Sequence, residues 1–306
     1  MYWDFRGIVT DSKRRFRASD GPMTLEIGFG NGEYLQSLAS SNPDALAIGM
    51  EVSQWCISKA ARRTLANGLK NIRLLWGDAR YLLKYAFEPE SVSGVFMNFP
   101  CPWPKRRHAD RRVAGGGFAE LLASRLAHGG TFKLTTDVGW YAEQTRRAFA
   151  ECGAFDAAPV ACNPISGCRT KYERKWRGMG RDIYELVAAK IAPARTHFAH
   201  EGDDGPMEEL EAPLRGSRDF SADILSLAGD VVEGPDYRAV FREVFLSEGD
   251  AALVKVISVD EGFEQHYYLK IIYSEGKLRA RADSVGHPYK TPAVRESLKH
   301  VMRKLA

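Results

Sequence analysis

The sequence predicts a doubly wound α/β domain, with a mainly parallel sheet flanked by helices, followed by a small α+β domain. From about residue 23 to residue 190, short runs rich in β-branched and aromatic residues alternate with longer stretches of helical character. This alternation is the pattern of a mainly parallel sheet. The 306 residues also exceed one ordinary domain, for which roughly 100–200 residues is typical.

Six strands are predicted in the first domain, at residues 24–27, 45–50, 72–76, 92–98, 131–136 and 183–188. Helices are predicted between them. The helix over 53–67 begins at Ser53, a favourable N-cap, and ends at an Asn-Gly pair. The helix over 118–127 ends before two glycines at 129–130.

Residues 193–216 are polar and acidic, which predicts a solvated linker. The chain therefore divides into a first domain at 1–192, this linker, and a second domain at 217–306. In the second domain a helical stretch is predicted near 237–245. Three strands follow at 252–259, 266–273 and 278–282, and a hairpin turn at 274–277 joins the last two. A last helix is predicted to be capped by Thr291 and opened by Pro292, with an apolar stripe at Val294, Leu298, Val301 and Leu305.

Composition excludes several classes of protein. Apolar residues make up 44% and charged residues 27% of the chain, which is close to the average of globular proteins and argues against disorder. No apolar run approaches a membrane span of roughly 18 residues, and the first residues lack the pattern of a secretion signal, so a cytoplasmic location is expected. Five cysteines without a C-x-x-C pair predict reduced thiols and no zinc site.

A glycine-rich turn at 26–32, Glu-Ile-Gly-Phe-Gly-Asn-Gly, follows the first predicted strand. Glycines at a strand-to-helix turn let a ligand approach the backbone closely. The form G-x-G-x-G, with an acid two residues before the first glycine, favours S-adenosylmethionine over a dinucleotide, which requires G-x-G-x-x-G. Glu51 ends the second strand, where a carboxylate can accept ribose hydroxyls, and Asp78 follows the third, where it can accept from the adenine amino group. The alternative is that these glycines only form turns and the acids are solvated.

Two basic segments indicate a nucleic-acid partner, although the net charge is only +4. In one, five of the eight residues at 105–112 are basic, and the preceding Trp103 offers a flat face for a base. The other, at 169–177, mixes cations with two aromatic residues and contains Glu173, which could accept from the Watson–Crick edge of a guanine. The alternatives are a solvated charged loop at 105–112 and an ordinary ion pair between Glu173 and Arg174 or Arg177.

Six motifs follow one another in the first domain: L-E-I-G-F-G-x-G at 25–32, G-x-E at 49–51, D-A at 78–79, P-W-P-K-R-R-H at 102–108, T-D at 136–137 and T-K-Y-E at 170–173. Together they resemble the bacterial tRNA (guanine-46-N7)-methyltransferase family over roughly residues 23–190. The last two motifs are unusual outside that family. The resemblance implies a class I methyltransferase fold, a Rossmann-like and mainly parallel sheet of seven strands. It also implies methyl transfer from S-adenosylmethionine to N7 of guanine 46 in the variable loop of tRNA.

The resemblance also implies roles for individual residues. The residues implied to bind the cofactor are Glu26, Gly28, Gly30, Gly32, Glu51, Asp78, Ala79 and Asn98. The residues implied to bind the guanosine or the surrounding RNA are Lys105, Arg107, His108, Arg111, Arg112, Asp137, Thr170, Lys171, Tyr172 and Glu173. No metal is implied.

One position departs from the family pattern. The family has an aspartate between the two prolines before the tryptophan, usually assigned to cofactor or guanine contact and often called catalytic, and here Cys101 occupies it. Guanine N7 has a free lone pair and no proton, so methyl transfer needs positioning and desolvation rather than a general base. Because a thiol is a weak acceptor, we expect Asp137 and Glu173 to orient the base. The catalytic candidates are Cys101, which stands at the position of the family aspartate, and Asp137, which would orient the base.

The second domain lies outside the motifs of this resemblance, and the sequence assigns it no function. Basic residues along its strands, at Lys255, Lys270, Lys277, Arg279 and Arg281, are compatible with binding tRNA or with packing against the first domain. Two rival functions remain open for the whole chain: a methyltransferase acting on another nucleic acid or on protein, and an RNA-binding protein that retains the fold without turnover. The oligomeric state is not predicted.

Overall fold

The computed structural model of the chain describes residues 8–9, 16–104, 117–165, 170–195, 209–213, 220–247, 250–260, 263–283 and 288–306. The chain forms two units, Met1–Gly202 and Asp203–Ala306, and the division lies inside the segment predicted as a linker. Among the helices of these described ranges, none is long and apolar enough to cross a membrane.

One sheet organises the first unit. Its strands are β1 (Met23–Ile27), β2 (Leu46–Glu51), β3 (Ile72–Trp76), β4 (Val92–Asn98), β5 (Leu126–Thr136), β6 (Phe155–Ala157), β7 (Ala161–Cys162) and β8 (Tyr184–Lys190). The order along the sheet is β3-β2-β1-β4-β5-β8-β6, with β7 paired to β8 beside this path. Strands β1 to β5 pair in parallel, whereas β8 runs antiparallel to β5. The predicted mainly parallel sheet is confirmed, and a strand of two residues, β7, is added to its seven.

Helices connect these strands as the alternation predicts: α1 (Glu33–Ser41), α2 (Gln54–Ala66), α3 (Ala79–Ala86), α4 (Phe118–Arg125), α5 (Gly139–Cys152) and α6 (Lys171–Gly178). Helix α2 is capped as predicted, because the Ser53 hydroxyl accepts a hydrogen bond from the Cys56 N–H at 3.4 Å. The end of α4 differs from the prediction. The chain passes directly from Arg125 into β5, and the two glycines at 129–130 lie within that strand. Arg125 is fully buried and donates to the Leu83 carbonyl at 2.7 Å, which anchors the end of the helix.

The glycine-rich turn is packed onto β2. At Gly49, opposite Glu26 in the neighbouring strand, a Cβ would overlap the side chains of Phe29 and Leu35. Phe29 is only 4% exposed and belongs to a core cluster that includes Leu35. Because an interior this dense does not accept an added methyl group without strain, Gly49 allows the turn to lie close to the sheet.

The second unit is an antiparallel sheet with helices on one face. Its elements are β9 (Leu210–Pro213), α7 (Phe220–Leu225), β10 (Val231–Glu233), β11 (Tyr237–Leu246), β12 (Ala251–Asp260), β13 (Phe263–Ser274), β14 (Lys277–Ala282) and α8 (Pro292–Leu305). The strand order is β10-β11-β12-β13-β14-β9. Leu298 and Val301 of α8 share one buried cluster with Val254 and Val256 of β12. The predicted small α+β domain is therefore present, with a core of its own.

Two predictions for the second unit were not met. The stretch near 237–245 was predicted as a helix, which is wrong, because it is strand β11. A β-bulge between Phe241 and Glu243 shifts the register there, so the apolar positions that face the core are Ala239, Phe241 and Val244. This spacing of two and then three residues imitates a helix. The predicted linker 193–216 also contains a strand, β9, which pairs with β14.

The start of α8 is also stabilised differently from the prediction. Thr291 makes no capping hydrogen bond from its side chain. Its hydroxyl instead accepts from the Gln265 amide at 3.0 Å, and Asp260 Oδ1 accepts from the Ala293 N–H at 2.8 Å. The cap therefore comes from the end of β12, far away in the sequence. Pro292 occupies the first turn of the helix as predicted.

Candidate active site

The three glycines of the turn after β1 all adopt left-handed backbone angles. Their φ values are 68° at Gly28, 55° at Gly30 and 75° at Gly32, which other residues rarely adopt. A Cβ built on Gly28 or Gly30 would meet no atom of the described residues within 4 Å, so this backbone borders open space among them. A ligand can therefore approach this backbone closely.

Glu51, at the end of β2, holds the turn in place through its carboxylate. Oε2 accepts a hydrogen bond from the Gly30 N–H at 3.1 Å, and Oε1 accepts from the N–H groups of Val52 and Ser53 at 2.9 and 3.1 Å. An ionised carboxylate offers about four acceptor sites. At least one acceptor site thus remains for a ligand hydroxyl after these three bonds.

Glu26 is a buried carboxyl at the point where strand order reverses. It is 2% exposed, and Oε1 accepts from the Asn98 amide of β4 at 3.1 Å. Oε2 is buried and has no hydrogen-bond partner among the residues that the structure describes. Burial raises the pKa of Glu26 to about 8, and the nearby Glu51 adds to the rise. A hydrogen-bond donor or a positive charge placed beside this carboxyl would therefore stabilise it.

Asp78 has two structural tasks in addition to its predicted role. It caps α3 by accepting from the Arg80 N–H at 2.9 Å, and it forms an ion pair with the Arg80 guanidinium at 2.8 Å. Ala79 is the first residue of this helix and is 6% exposed. The Gly77 N–H donates to the Glu51 carbonyl at 3.0 Å, which holds the end of β3 against the end of β2.

The segment after β4 begins with a backbone kink. Phe99 has φ of 52°, and its N–H donates to the Thr135 carbonyl of β5 at 2.7 Å. The Phe99 ring lies 6.5 Å, centroid to centroid, from the ring of Tyr172 in α6. Cys101 is exposed, and its thiol is free. The predicted RNA-binding residues Lys105, Arg107, His108, Arg111 and Arg112 lie outside the described part of the chain.

Helix α6 and its N-cap carry four of the predicted guanosine-binding residues, Thr170 to Glu173. The Thr170 hydroxyl caps it by accepting from the Glu173 N–H at 3.2 Å. Glu173 is 2% exposed and accepts from Arg177 Nε at 2.9 Å, so the ion pair considered as an alternative does form. Asp137, after β5, accepts from Arg181 Nη1 at 2.7 Å. Both carboxylates are thus held by arginines, and the guanosine contact stays a prediction.

Glu33, the first residue of α1, joins the glycine turn to α6. Its Oε2 accepts from the Lys171 N–H at 2.8 Å and from Arg174 Nη2 at 3.0 Å. Its Oε1 accepts from the Asn31 amide at 3.1 Å and lies 3.8 Å from Arg63 Nη1. Partial burial opposes ionisation, but the Arg174 guanidinium and the other donors outweigh it and lower the pKa of Glu33. One carboxylate therefore ties the predicted cofactor turn to the predicted guanosine helix.

Sequence reasoning missed Glu33. An acid in the first turn of a helix is common, because it complements the positive end of the helix dipole. The position of Glu33 in the first turn of α1 therefore did not indicate a functional role. Its partners Lys171 and Arg174 are 138 and 141 residues away along the chain, a pairing that no local pattern reveals.

The residues at this sheet edge fit the cofactor predicted from the sequence. No donor in the described part of the chain reaches the buried Glu26 Oε2, and S-adenosylmethionine carries an ammonium and a sulfonium group that suit such a carboxyl. Glu51 retains capacity for ribose hydroxyls, and the open backbone at Gly28 and Gly30 allows close approach. The arrangement can bind a cationic nucleoside and hold a second ligand beside α6.

Comparison with known proteins identifies relatives for almost the whole chain. A family model described as "Putative methyltransferase" matches residues 20–186. A tRNA (guanine-N(7)-)-methyltransferase of Thermotoga maritima is 35% identical over 284 residues, which cover 92% of this chain and 89% of that protein. The protein of the same name from Thermus thermophilus is 31% identical over 297 residues, covering 94% of this chain and 89% of that protein. Among solved structures, the 16S rRNA methyltransferase KamB matches 56% of this chain and 89% of its own at 16% identity, with a TM-score of 0.44.

These matches differ in how far they extend into the second unit. The family model ends at residue 186, so the second unit is an extension relative to it, as the sequence predicts, whereas the Thermotoga protein aligns with 92% of the chain. The unaligned remainder is far shorter than the second unit, Asp203–Ala306. Most of the second unit is therefore shared with this relative.

The raised pKa of Glu26 predicts a pH-dependent stability. Because the folded pKa of about 8 lies above the ordinary value of 4.5, the stability contributed by the neutral carboxyl is complete below pH 4.5 and is lost as the pH rises through 8. Glu26→Gln keeps the shape without the ionisation. We expect the melting temperature of the variant to rise relative to that of wild type between pH 6 and pH 9, as measured by thermal unfolding without cofactor. The exposed Glu151→Gln variant is the control, and equal trends in both variants would contradict the prediction.

The position of Glu33 predicts a coupled loss of stability and ligand binding. Glu33→Ala removes the acceptor of several charge-assisted hydrogen bonds, so we expect unfolding to become easier by about 1–2 kcal/mol. We expect KM for tRNA to rise roughly tenfold and kcat to change less, since α6 loses its attachment to the glycine turn. Glu33→Gln, which keeps an acceptor oxygen, should lie between the variant and wild type. Glu143→Ala removes a partly exposed, ion-paired glutamate of α5 and should leave KM unchanged; a rise in KM equal to that of Glu33→Ala would rule out a specific role for Glu33.

Proposed function

Because this chain belongs to the tRNA (guanine-N7-)-methyltransferase family, we propose that it methylates N7 of guanine 46 in the variable loop of tRNA. The protein is an enzyme of this family, with S-adenosylmethionine as the methyl donor. Position 46 and a cytoplasmic location are the parts of the proposal that go beyond the family. The observation that best supports a shared cofactor and RNA site is the bridge from Glu33 to Lys171 and Arg174, because it brings the glycine turn beside α6.

The proposed cofactor site consists of the turn and the strand ends around it. S-adenosylmethionine supplies a methyl group on a positively charged sulfur. Glu51 would accept the ribose hydroxyls, Glu26 would face the cationic part of the ligand, and Asp78 would accept from the adenine amino group. Glycines 28, 30 and 32 would let the ligand lie against the backbone.

The proposed substrate site requires orientation more than acid–base chemistry. N7 of guanine accepts a methyl group through its lone pair, and no proton has to leave that atom. The Watson–Crick edge of guanine offers N–H donors, which a carboxylate can accept. Asp137 and Glu173 would bind this edge while Arg181 and Arg177 hold the two carboxylates in position. Cys101 at the position of the family aspartate would then be tolerated, since its thiol has no proton transfer to perform.

A transfer assay tests the proposal directly. The protein is incubated with methyl-labelled S-adenosylmethionine and unmodified tRNA, and the product is digested and mapped. We expect 7-methylguanosine in the variable loop, and no label in a transcript with adenine in place of guanine 46. Label elsewhere would indicate another RNA site. Cofactor binding without any label would favour the RNA-binding alternative that Cys101 raises.

The roles of Cys101 and Asp137 predict a contrast between two variants. Asp137→Ala removes a carboxylate that would orient the guanine, so we expect kcat/KM to fall by roughly 100-fold, which corresponds to about 2.7 kcal/mol of transition-state stabilisation. Cys101→Ala should change the rate less than about threefold, because N7 needs no general base. Asp137→Asn separates the loss of charge from the loss of shape. Rates like those of wild type for both alanine variants would refute the assignment of Asp137.

A further inference from the structure

The helices described in the second unit, α7 and α8, pack on one face of its sheet and leave the other face uncovered. Along β12 the buried positions alternate with partly exposed ones, and the buried set includes Val254 and Val256, which pack in the cluster of α8. Successive residues of a strand point to opposite faces. The partly exposed residues, such as Leu253 and Lys255, therefore lie on the face opposite the helices. This helix-free face is the outer face of the sheet.

Strand register places a group of basic side chains on the outer face. Lys270 of β13 pairs with Leu253 of β12 on one side and with Arg281 of β14 on the other. Two residues back along β14, Arg279 lies on the same face, and Lys277 follows at the next such position. Residues on one face of a strand are about 7 Å apart. These four cations, Lys270, Lys277, Arg279 and Arg281, form the basic strip.

Acidic residues balance only part of this charge. Glu211 of β9 pairs with both Lys277 and Arg279, at 2.6 and 2.9 Å. No ion pair within the described residues involves Lys270 or Arg281, which are directly opposite each other. Like charges in directly opposed positions of an antiparallel pair destabilise a sheet. Folding of the second unit therefore does not account for this pair, whereas an anionic ligand would.

Aromatic side chains border the basic strip on the same face. Phe245 of β11 pairs with Leu253 in the row that continues to Lys270, and it is 47% exposed. Tyr268 of β13 lies two residues from Lys270, and the Phe245 and Tyr268 rings have centroids 6.2 Å apart. Cations that follow a phosphate backbone, next to aromatic rings on which bases can stack, are the combination that binds RNA.

We infer that the basic strip and its two aromatic neighbours form an RNA-binding surface, which contacts the backbone of the tRNA outside the methylated loop. The inference rests on the proposed function, because it takes the same tRNA as the ligand. Arginine suits the role, since its planar guanidinium bonds to phosphate in two places. The exposure of the strip supports the assignment, because the Lys277 and Arg279 side chains are 51% and 34% exposed.

The test uses the full-length protein with paired substitutions. Lys270→Gln/Arg281→Gln removes two charges from the outer face. Lys299→Gln/Arg303→Gln removes two charges from α8, on the opposite side of the sheet, where both residues pair with Glu296. Lys270→Arg/Arg281→Lys keeps the charge on the strip. Affinity for unmodified tRNA is measured by fluorescence anisotropy over a series of salt concentrations.

We expect Lys270→Gln/Arg281→Gln to bind tRNA roughly 5- to 20-fold more weakly at low salt. The slope of log affinity against log salt should become shallower by about 1 to 2, because each phosphate contact contributes roughly 0.7 to 0.9. KM for tRNA should rise by the same factor, while kcat at saturating tRNA and the affinity for S-adenosylmethionine stay within twofold of wild type. Its melting temperature should be no lower than that of wild type, since a like-charge pair is relieved. The α8 variant and the charge-retaining variant should keep the wild-type salt slope.

Three results would overturn the inference. These are an unchanged salt slope in the strip variant, an equal loss of affinity in the α8 variant, and a change in oligomeric state by size-exclusion chromatography without a change in tRNA binding, which would indicate a contact between copies of the chain. Failure of the proposed function gives a different result. If no 7-methylguanosine forms but the strip variant alone loses tRNA affinity, the function is wrong and the surface stands. If 7-methylguanosine forms and the variants bind equally, the surface is wrong and the function stands.

Discussion

The candidate site depends on the reversal of strand order at β1. From β1 the chain proceeds through β2 to β3 on one side, and then returns to place β4 on the other side. The connections after β1 and β4 therefore leave the sheet in opposite directions, which opens a crevice at the carboxyl edge. Glu26 and Asn98 meet across this crevice at 3.1 Å although they are 72 residues apart. A carboxyl so deeply buried opposes folding when ionised, and the proposed contact with the cationic cofactor would offset that cost.

Glu33 connects the glycine turn at the crevice to α6 by hydrogen bonds. A helix of eight residues is not stable by itself, so its position must come from contacts outside it. Those contacts include the Thr170 cap, the Phe99 ring against Tyr172, and the Glu33 carboxylate, which also accepts from Asn31 in the glycine turn. A change in the turn that moved Glu33 would therefore move the acceptor of the Lys171 N–H. Cofactor binding and guanosine binding would share one structural element, which is a simple way for two ligands to be held in register.

Local sequence patterns predicted the parts of the structure that local forces determine. The end of β1 at Ile27, the glycine turn that follows it and the Ser53 cap all depend on neighbours within a few residues. The wrong predictions concern segments whose structure depends on residues far away in the sequence. Strand β11 imitates a helix because its bulge is fitted to β12, and β9 reads as a polar linker until β14 provides its pairing. Helix α8 takes its cap from Asp260 in β12, and Glu33 gains its meaning only from Lys171 and Arg174.

The positions of the charged residues in this chain, rather than its net charge, indicate an anionic partner. A net charge of +4 is too small to indicate a nucleic-acid partner. It also does not reveal that Lys270 and Arg281 lie opposite each other on the adjacent strands β13 and β14. The second unit already has a core formed by α8 and the inner face of its sheet, so it can fold without those cations. A catalytic crevice must fix atoms precisely, because methyl transfer is sensitive to distance and direction. A surface that only needs to attract and align a polyanion has a looser requirement, which a sheet face with the correct register of charges can meet.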